Sequence, residues 1–497
     1  MEKKNNVIKC IRYSLFVLHL WIGILALVKG SFEIALLCVT VFWFHNILFS
    51  LERWNSRFIF FFFHCMIFMF LMVRPIISIF KGYTWKYYTD AALRFTFVSL
   101  WITLLSMFVG VIMYEQYHAC ALKRSRSKTI ISKKTVRWYE TDEFRKSLQL
   151  IVVIVYCISF VAYFYLQMEK YMFMRGKVYN DFYTSFESTA PYIVQFLASF
   201  RTYSLAIYLS TAPKKKSTFL ILSSFILADF PVLLYGKRSL IMTDALFILV
   251  YYILRNGMGE QEKWLGKVEK TCVFIGAPLA LVAMGAMNYI RAGSSVSTKI
   301  SDLLLDFFFK QGVSFNVLNL GYESIPFLPQ RRFRNYTFGS IIDYFAHGSF
   351  AQKFFHAEDL GSGNNLLWAL KSNSFAHNMS YIEADDYLKG HGLGSSYILE
   401  VFADYGYIGI ILFSILLGVI LIWFVNVMRK MNFGSMIVIN IIMNIFFMPR
   451  GEATGCITFL VYAQFWVIIL VAYMGAALIA RTYSYKSLKM KGIEENV

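Results

Sequence analysis

Residues 373–412 read NSFAHNMSYIEADDYLKGHGLGSSYILEVFADYGYIGIIL. They place two histidines (His377, His391), five carboxylates (Glu383, Asp385, Asp386, Glu400, Asp404) and the glycine-rich run 390–396 directly ahead of a long apolar segment. Charge next to hydrocarbon is costly and is retained where it does chemistry or holds a partner. No other stretch of the chain is so mixed, and the rest reads as scaffold around it.

That scaffold is a membrane protein. Of 497 residues 58% are hydrophobic, 18% aromatic and only 16% charged, whereas soluble domains run at roughly 45–50% apolar and about 25% charged. Runs of about 17–25 apolar residues cross the hydrocarbon core as helices, which satisfy their own backbone hydrogen bonds there. Twelve are predicted, at 11–28, 32–50, 58–80, 91–114, 148–168, 190–211, 218–235, 239–255, 271–290, 398–427, 433–449 and 456–480. The first follows Lys3, Lys4, Lys9 and Arg12 with no small-residue cleavage site after it, and reads as an uncleaved helix. The fold class is therefore an all-α polytopic membrane protein of about 12 transmembrane helices.

Cytoplasmic loops retain Lys and Arg. The basic runs KRSRSK and SKK within 115–147, together with Lys214, Lys215 and Lys216, place both termini in the cytoplasm. The net charge of +19 is then a topology signal, aided by attraction to anionic membrane lipids, and calls for no nucleic acid. The long connection 292–397 falls outside, with nearly balanced charge and four of the eight histidines (His347, His356, His377, His391). Its aromatic and aliphatic content argues for a folded segment. Ile300, Leu303, Leu304, Phe307 and Phe308 predict an amphipathic helix over 299–310 at the outer interface. The chain divides into a nine-helix bundle (1–290), an extracytoplasmic loop (291–397), and three helices with a cytoplasmic tail (398–497). None of the seven cysteines lies in that loop, and the histidines lack metal-ligand spacing, so neither a disulfide framework nor a metal or other cofactor is called for.

Several ionisable residues fall within spans: Arg74 before Pro75, Arg94, Arg201, Asp229 and Asp244. Pairing of Arg with Asp, or snorkelling to the interface, is the plainer reading, and is favoured for Arg94 and Asp244. A second group sits at outer ends: the turn Gly236-Lys237-Arg238-Ser239, Arg291 after span nine, and Arg450-Gly451-Glu452 between the last two spans. Cations on the outer side run against the usual bias. An arginine fork suits the oxygens of a lipid-linked diphosphate at the membrane surface, although ordinary lipid phosphates or local carboxylates would also engage it.

Ser374, His377, Ser380 and Tyr381, the run YLKGHGLGSSYI over 387–398, then Glu400, Asp404, Gly406 and Gly409, entering a span from a large external loop, together resemble the O-antigen polysaccharide polymerases called Wzy. The Gly-x-Arg-Ser turn at 236–239 and Arg291 are similar to further features of that family. The resemblance covers the whole chain in layout and is specific in sequence over about forty residues, 373–412. It implies a GT-C-like enzyme of the bacterial cytoplasmic membrane that acts at the outer face. A glycan chain carried on undecaprenyl diphosphate is transferred to the next lipid-linked repeat unit. A chain-length regulator and a flippase are the pathway companions it implies.

Displacing a diphosphate from an anomeric carbon builds negative charge on the leaving oxygens, which preorganised cations stabilise. Arg291, Arg238 and Arg450 are the candidates, with Arg74 and Arg201 as reserves inside the cavity. The attacking sugar hydroxyl needs a general base, for which Glu400, Asp404, His391 and His377 qualify. Glu400 and Asp404 are spaced i, i+4, on one helix face, and Glu400 also suits the first-turn dipole position. His391 lies among glycines that permit close approach to a ligand. Three other readings compete, one of them a structural scaffold for the assembly machinery. A ligase-like enzyme would share the donor, but its histidine-asparagine motif is matched only loosely by His377-Asn378-Met379. A flippase or transporter is expected to show internal repeats.

Overall fold

Pro75 and Pro278 each lack an N–H to donate to the preceding helical turn, and each follows a widened π turn, at Phe68–Met72 and Cys272–Gly276, as expected where proline interrupts the ladder. These are bends within spans, not ends. The structure, a computed structural model, describes residues 17, 19–126, 141–177, 179–259, 262–291, 299–331 and 333–494, with backbone alone at 122–126, 287–291 and 483–494. It is helical, with no strand among the described residues.

In chain order the helices of the first part are α1 (His19–Lys29), α2 (Phe32–Glu52), α3 (Trp54–Phe80), α4 (Asp90–Arg126), α5 (Asp142–Met174), α6 (Tyr192–Ser210), α7 (Lys215–Leu234), α8 (Ser239–Asn256) and α9 (Lys267–Ala286). Six short helices follow in the long loop: α10 (Ile300–Gln311), α11 (Ser314–Ser324), α12 (Gly339–His347), α13 (Ser349–Phe355), α14 (Leu366–Lys371) and α15 (Phe375–Glu383). The chain ends with α16 (Tyr397–Met428), α17 (Phe433–Ile445) and α18 (Ala463–Glu494).

Among the described residues, 9 helices are long and apolar enough to cross a membrane. The other three expected spans fall on α1, α6 and α17. Part of the first lies outside the described residues, α6 carries Arg201, and α17 stops early because the chain turns into a 3-10 segment, Met448–Arg450, around Pro449.

Small residues let the central helices meet. A Cβ on Gly110 of α4 would come within 2.1 Å of the Ile415 carbonyl oxygen, and one on Gly418 of α16 within 2.2 Å of that of Met107. Backbones this close are a usual packing device within membranes. The α4–α16 pair, with α2 and α3, forms one side of the core, and α5, α6 and α18 form the other. Between them lies α17, with Met436, Val438, Ile439, Asn440, Ile441 and Ile442 all buried.

The loop is folded where it is described. α10 forms at 300–311 as the periodicity predicts, burying Leu303 and Phe307. Asn365 and Ser374 cap α14 and α15 by accepting from the Trp368 and His377 N–H groups, which satisfies orphan donors at the helix starts. Asp343 takes two hydrogen bonds from Asn373, at 2.7 and 2.8 Å. Asn378 accepts from the Tyr336 hydroxyl and donates to the Ala369 carbonyl. These internal bonds hold the polar connection in a folded arrangement.

Candidate functional site: two cavities joined at Arg450

The turn 236–239 delivers Lys237 and Arg238 to the N-terminus of α8, where the free N–H groups and the helix dipole add positive potential. Both cations, with Ser239 and Thr243, line a cavity of about 400 Å³ that also touches Tyr179, Tyr183, Gln311 and Arg450. Its remaining wall is apolar and includes Met66, Phe70, Met242, Leu246 and Phe447, and no carboxylate lines it. A second cavity, of about 510 Å³, is lined by Asn180, Asn364, His377, Ser380, Tyr387 and His391. Tyr179, Tyr183 and Arg450 are common to both. One cavity is cationic, the other rich in hydroxyl, amide and imidazole groups, and Arg450 stands between them.

Arg450 closes the 3-10 turn after α17 and donates to Gln311 Oε1 at 2.9 Å. It forms no ion pair among the described residues, although Glu452 is two positions away. Burial lowers its pKa from the ordinary value, a penalty on the charged form that a bound anion would offset. Burial, reinforced by Asp343, raises the pKa of Glu452 and so favours its neutral form. A guanidinium without a carboxylate partner beside a cavity is suited to phosphate oxygens. At about 4 Å and an effective dielectric near 20, each pair of unit charges is worth roughly 4 kcal/mol.

Two histidines face the second cavity, each oriented by a neighbour. His391 Nδ1 lies 3.1 Å from Asp386 Oδ1, and Asn364 Nδ2 donates to the His391 carbonyl. A carboxylate on one ring nitrogen fixes the tautomer and leaves the other able to take a proton. His377 Nδ1 sits 2.8 Å from the Tyr387 hydroxyl, which donates to the Asn365 carbonyl. Burial lowers the His377 pKa to about 4, so its ring is neutral near pH 7 and a weaker base.

The wall shared by the cavities comes from the connection between α5 and α6. Gly363 and Gly390, at φ +68 and +87, face the carbonyl oxygens of Tyr183 and Asn180, which a Cβ would approach to 2.1 and 2.3 Å. Only glycine permits both the backbone angle and the contact. The 390–396 run thus brings the loop against residues 179–184, and the Asn364 N–H donates to the Tyr183 carbonyl at 2.9 Å.

The remaining sequence candidates are placed elsewhere. Glu400 is 1% exposed, and its two oxygens accept from Ser395 Oγ at 2.7 Å and the Ala453 N–H at 2.8 Å. Asp404 accepts from the N–H groups of Tyr336 and Thr337 and from Thr337 Oγ1. Neither lines either of these two cavities, and the i, i+4 pair is divided between two loops that it holds down. Arg201 is paired at 2.7 Å with Asp229 and lies 3.7 Å from Asp244, beneath Tyr163. Arg74 stacks 4.1 Å over Phe309 and donates to its carbonyl. Expected as reserves inside the cavity, neither lines the two cavities described: packing against α10 holds Arg74 and pairing within the bundle holds Arg201. Arg94 reaches the Val28 carbonyl at the surface. The Arg291 side chain lies outside the described residues.

Sequence reasoning missed Tyr179, Tyr183, Asn364 and Tyr387 as site residues, and Asp386 as the partner of His391. The run YNDFYTSF at 179–186, aromatic and polar between two expected spans, was the available signal.

A helical membrane protein with a cationic cavity beside a polar one, both under a folded loop, has the layout of an enzyme acting on a molecule that is part lipid and part polar. The model of the family O-antigen polysaccharide polymerase Wzy matches residues 10–482, and the chain belongs to that family. No curated protein and no solved structure matches significantly.

Proposed function

We propose that the chain polymerises undecaprenyl-diphosphate-linked repeat units into a surface polysaccharide at the outer face of the bacterial cytoplasmic membrane. Both termini lie in the cytoplasm, and α1, α6 and α17 complete twelve spans. The observation that carries this reading is Arg450, common to a cation-lined cavity and a polar, histidine-bearing one.

The donor's diphosphate occupies the first cavity, held by Lys237, Arg238 and Arg450. The acceptor's terminal sugar occupies the second, where tyrosines offer apolar faces and amides offer hydrogen bonds. His391, oriented by Asp386, takes the proton from the acceptor hydroxyl. The hydroxyl oxygen bonds to the anomeric carbon as its bond to the diphosphate breaks. The electron pair leaves with the diphosphate, whose charge the three cations stabilise. His377, held neutral by burial, hydrogen-bonds a sugar. Glu400 and Asp404 position the loops that carry Arg450 and residues 336–337.

Purified protein in lipid nanodiscs, given an undecaprenyl-diphosphate-linked repeat unit, is expected to yield a ladder of chain lengths and free undecaprenyl diphosphate. Substrate that stays unchanged, or moves across vesicles without growing, overturns the reading.

A further inference from the structure

A third cavity, of about 590 Å³, lies between α7, α8 and α9. Its walls are almost wholly apolar, formed by Leu222 and Ile226 of α7, Leu249 and Tyr252 of α8, and Gly276 and Ala280 of α9. We propose that this groove binds the isoprenoid tail of the donor lipid, a proposal that rests on the diphosphate occupying the neighbouring cationic cavity.

The first argument is continuity. Leu246 lines both the cationic cavity and the groove, so the two run one after the other along α8. From Ser239 at the cationic end to Tyr252 at the far end, the helical rise spans roughly 20 Å. Positive charge at the outer end, giving way to apolar walls deeper in, is the polarity of a lipid diphosphate read from head to tail.

The second argument is that the groove is held open. At its outer end α9 is fixed by Gly285 against Leu303, where a Cβ would meet the carbonyl oxygen at 2.6 Å, and by Arg238 donating to the Met284 carbonyl. At its inner end the Lys215–Glu269 ion pair, at 2.6 Å, joins α9 to α7. Between these attachments α9 presents Gly276, Ala277 and Ala280, and a Cβ on Gly276 would meet nothing within 4 Å. Larger residues there would fill the gap. Water finds few partners on walls where Ser223, Tyr252 and Glu269 are the polar exceptions, so an apolar chain is the occupant that lowers the free energy. An ordinary bilayer acyl chain shares that chemistry, but has no reason to depend on the adjoining cations.

The test uses full-length protein in nanodiscs and a polyprenyl diphosphate carrying a diazirine on its isoprenoid tail, with the matched polyprenol as control. After irradiation, label is expected at residues 245–252 and 272–280. It should be about tenfold stronger for the diphosphate than for the polyprenol, as charge-assisted contacts to the head group would give. Arg238→Ala should reduce it towards the polyprenol level, and Ala280→Trp should displace it from the groove. Label on other helices, or equal labelling by polyprenol, overturns the proposal. A polysaccharide ladder with label elsewhere refutes the tail site and leaves the polymerase reading intact. Groove labelling without a ladder upholds the tail site and refutes polymerisation.

Discussion

Four ionisable residues near the head of α16 look alike in sequence and differ in what surrounds them. Glu400 accepts from the Ser395 hydroxyl and the Ala453 N–H, and Asp404 from the N–H groups of Tyr336 and Thr337, whereas His377 and His391 line a cavity. A histidine ring that lines a cavity can meet a substrate hydroxyl, whereas these carboxylates are committed to holding loops. His391→Ala is therefore expected to lower the polymerisation rate by about 10²–10⁴, the usual contribution of a general base, with Asp386→Asn in the same direction and smaller. Glu400→Gln keeps the shape but offers one acceptor where two are used, and costs on the order of 1–3 kcal/mol through an unsatisfied buried group. Its signature is a lowered thermal midpoint, with the surviving folded enzyme retaining more than about a tenth of the parent rate, short of a general-base loss. Initial rates corrected for folded protein check both, and a reversed order would return the base to the carboxylates.

At the scale of elements, the cavities depend on how the loop meets the connection between α5 and α6. Gly390 and Gly394 both have positive φ, +87 and +85, but only Gly390 is pressed against another backbone. Alanine at either position adds about 1–2 kcal/mol of backbone strain, and at Gly390 the Cβ must also push Asn180 away. Gly390→Ala is expected to lower stability and rate well beyond Gly394→Ala, with thermal unfolding and the ladder assay as the measurements. Equal effects would mean that residues 179–184 do not shape the site. The α16 helix also breaks at Gly406, where φ is 63 and ψ −159. The segment carrying Glu400 and Asp404 can therefore leave the direction of the span and reach both loops.

Over the whole molecule, what was legible in the sequence followed from local physics. Apolar length revealed the nine helices among the described residues that are long enough to cross a membrane, the spacing from Ile300 to Phe308 revealed α10, and the cations at 237–238 and 450 stood out at the ends of expected spans. Partnerships were only partly legible, because they join distant positions: pairing of Arg with Asp within the spans was expected, and Arg201 finds Asp229 and Asp244 across three helices, but nothing local marked Arg74 for Phe309 or Glu400 for Ala453. Tyr179 and Tyr183 gave no periodic or charge signal, and enter the site only because Gly363 and Gly390 draw that turn inward. The same folding brings Arg450 between the two cavities, and that position is the centre of the account. The most direct test is Arg450→Lys in the purified ladder assay, since lysine keeps the charge and loses the planar fork. The expected result is normal folding with an initial rate lower by about 10²–10³, the range for removing one preorganised charge-stabilising donor. A rate within about threefold of the parent, well below that loss, would contradict the role given to Arg450.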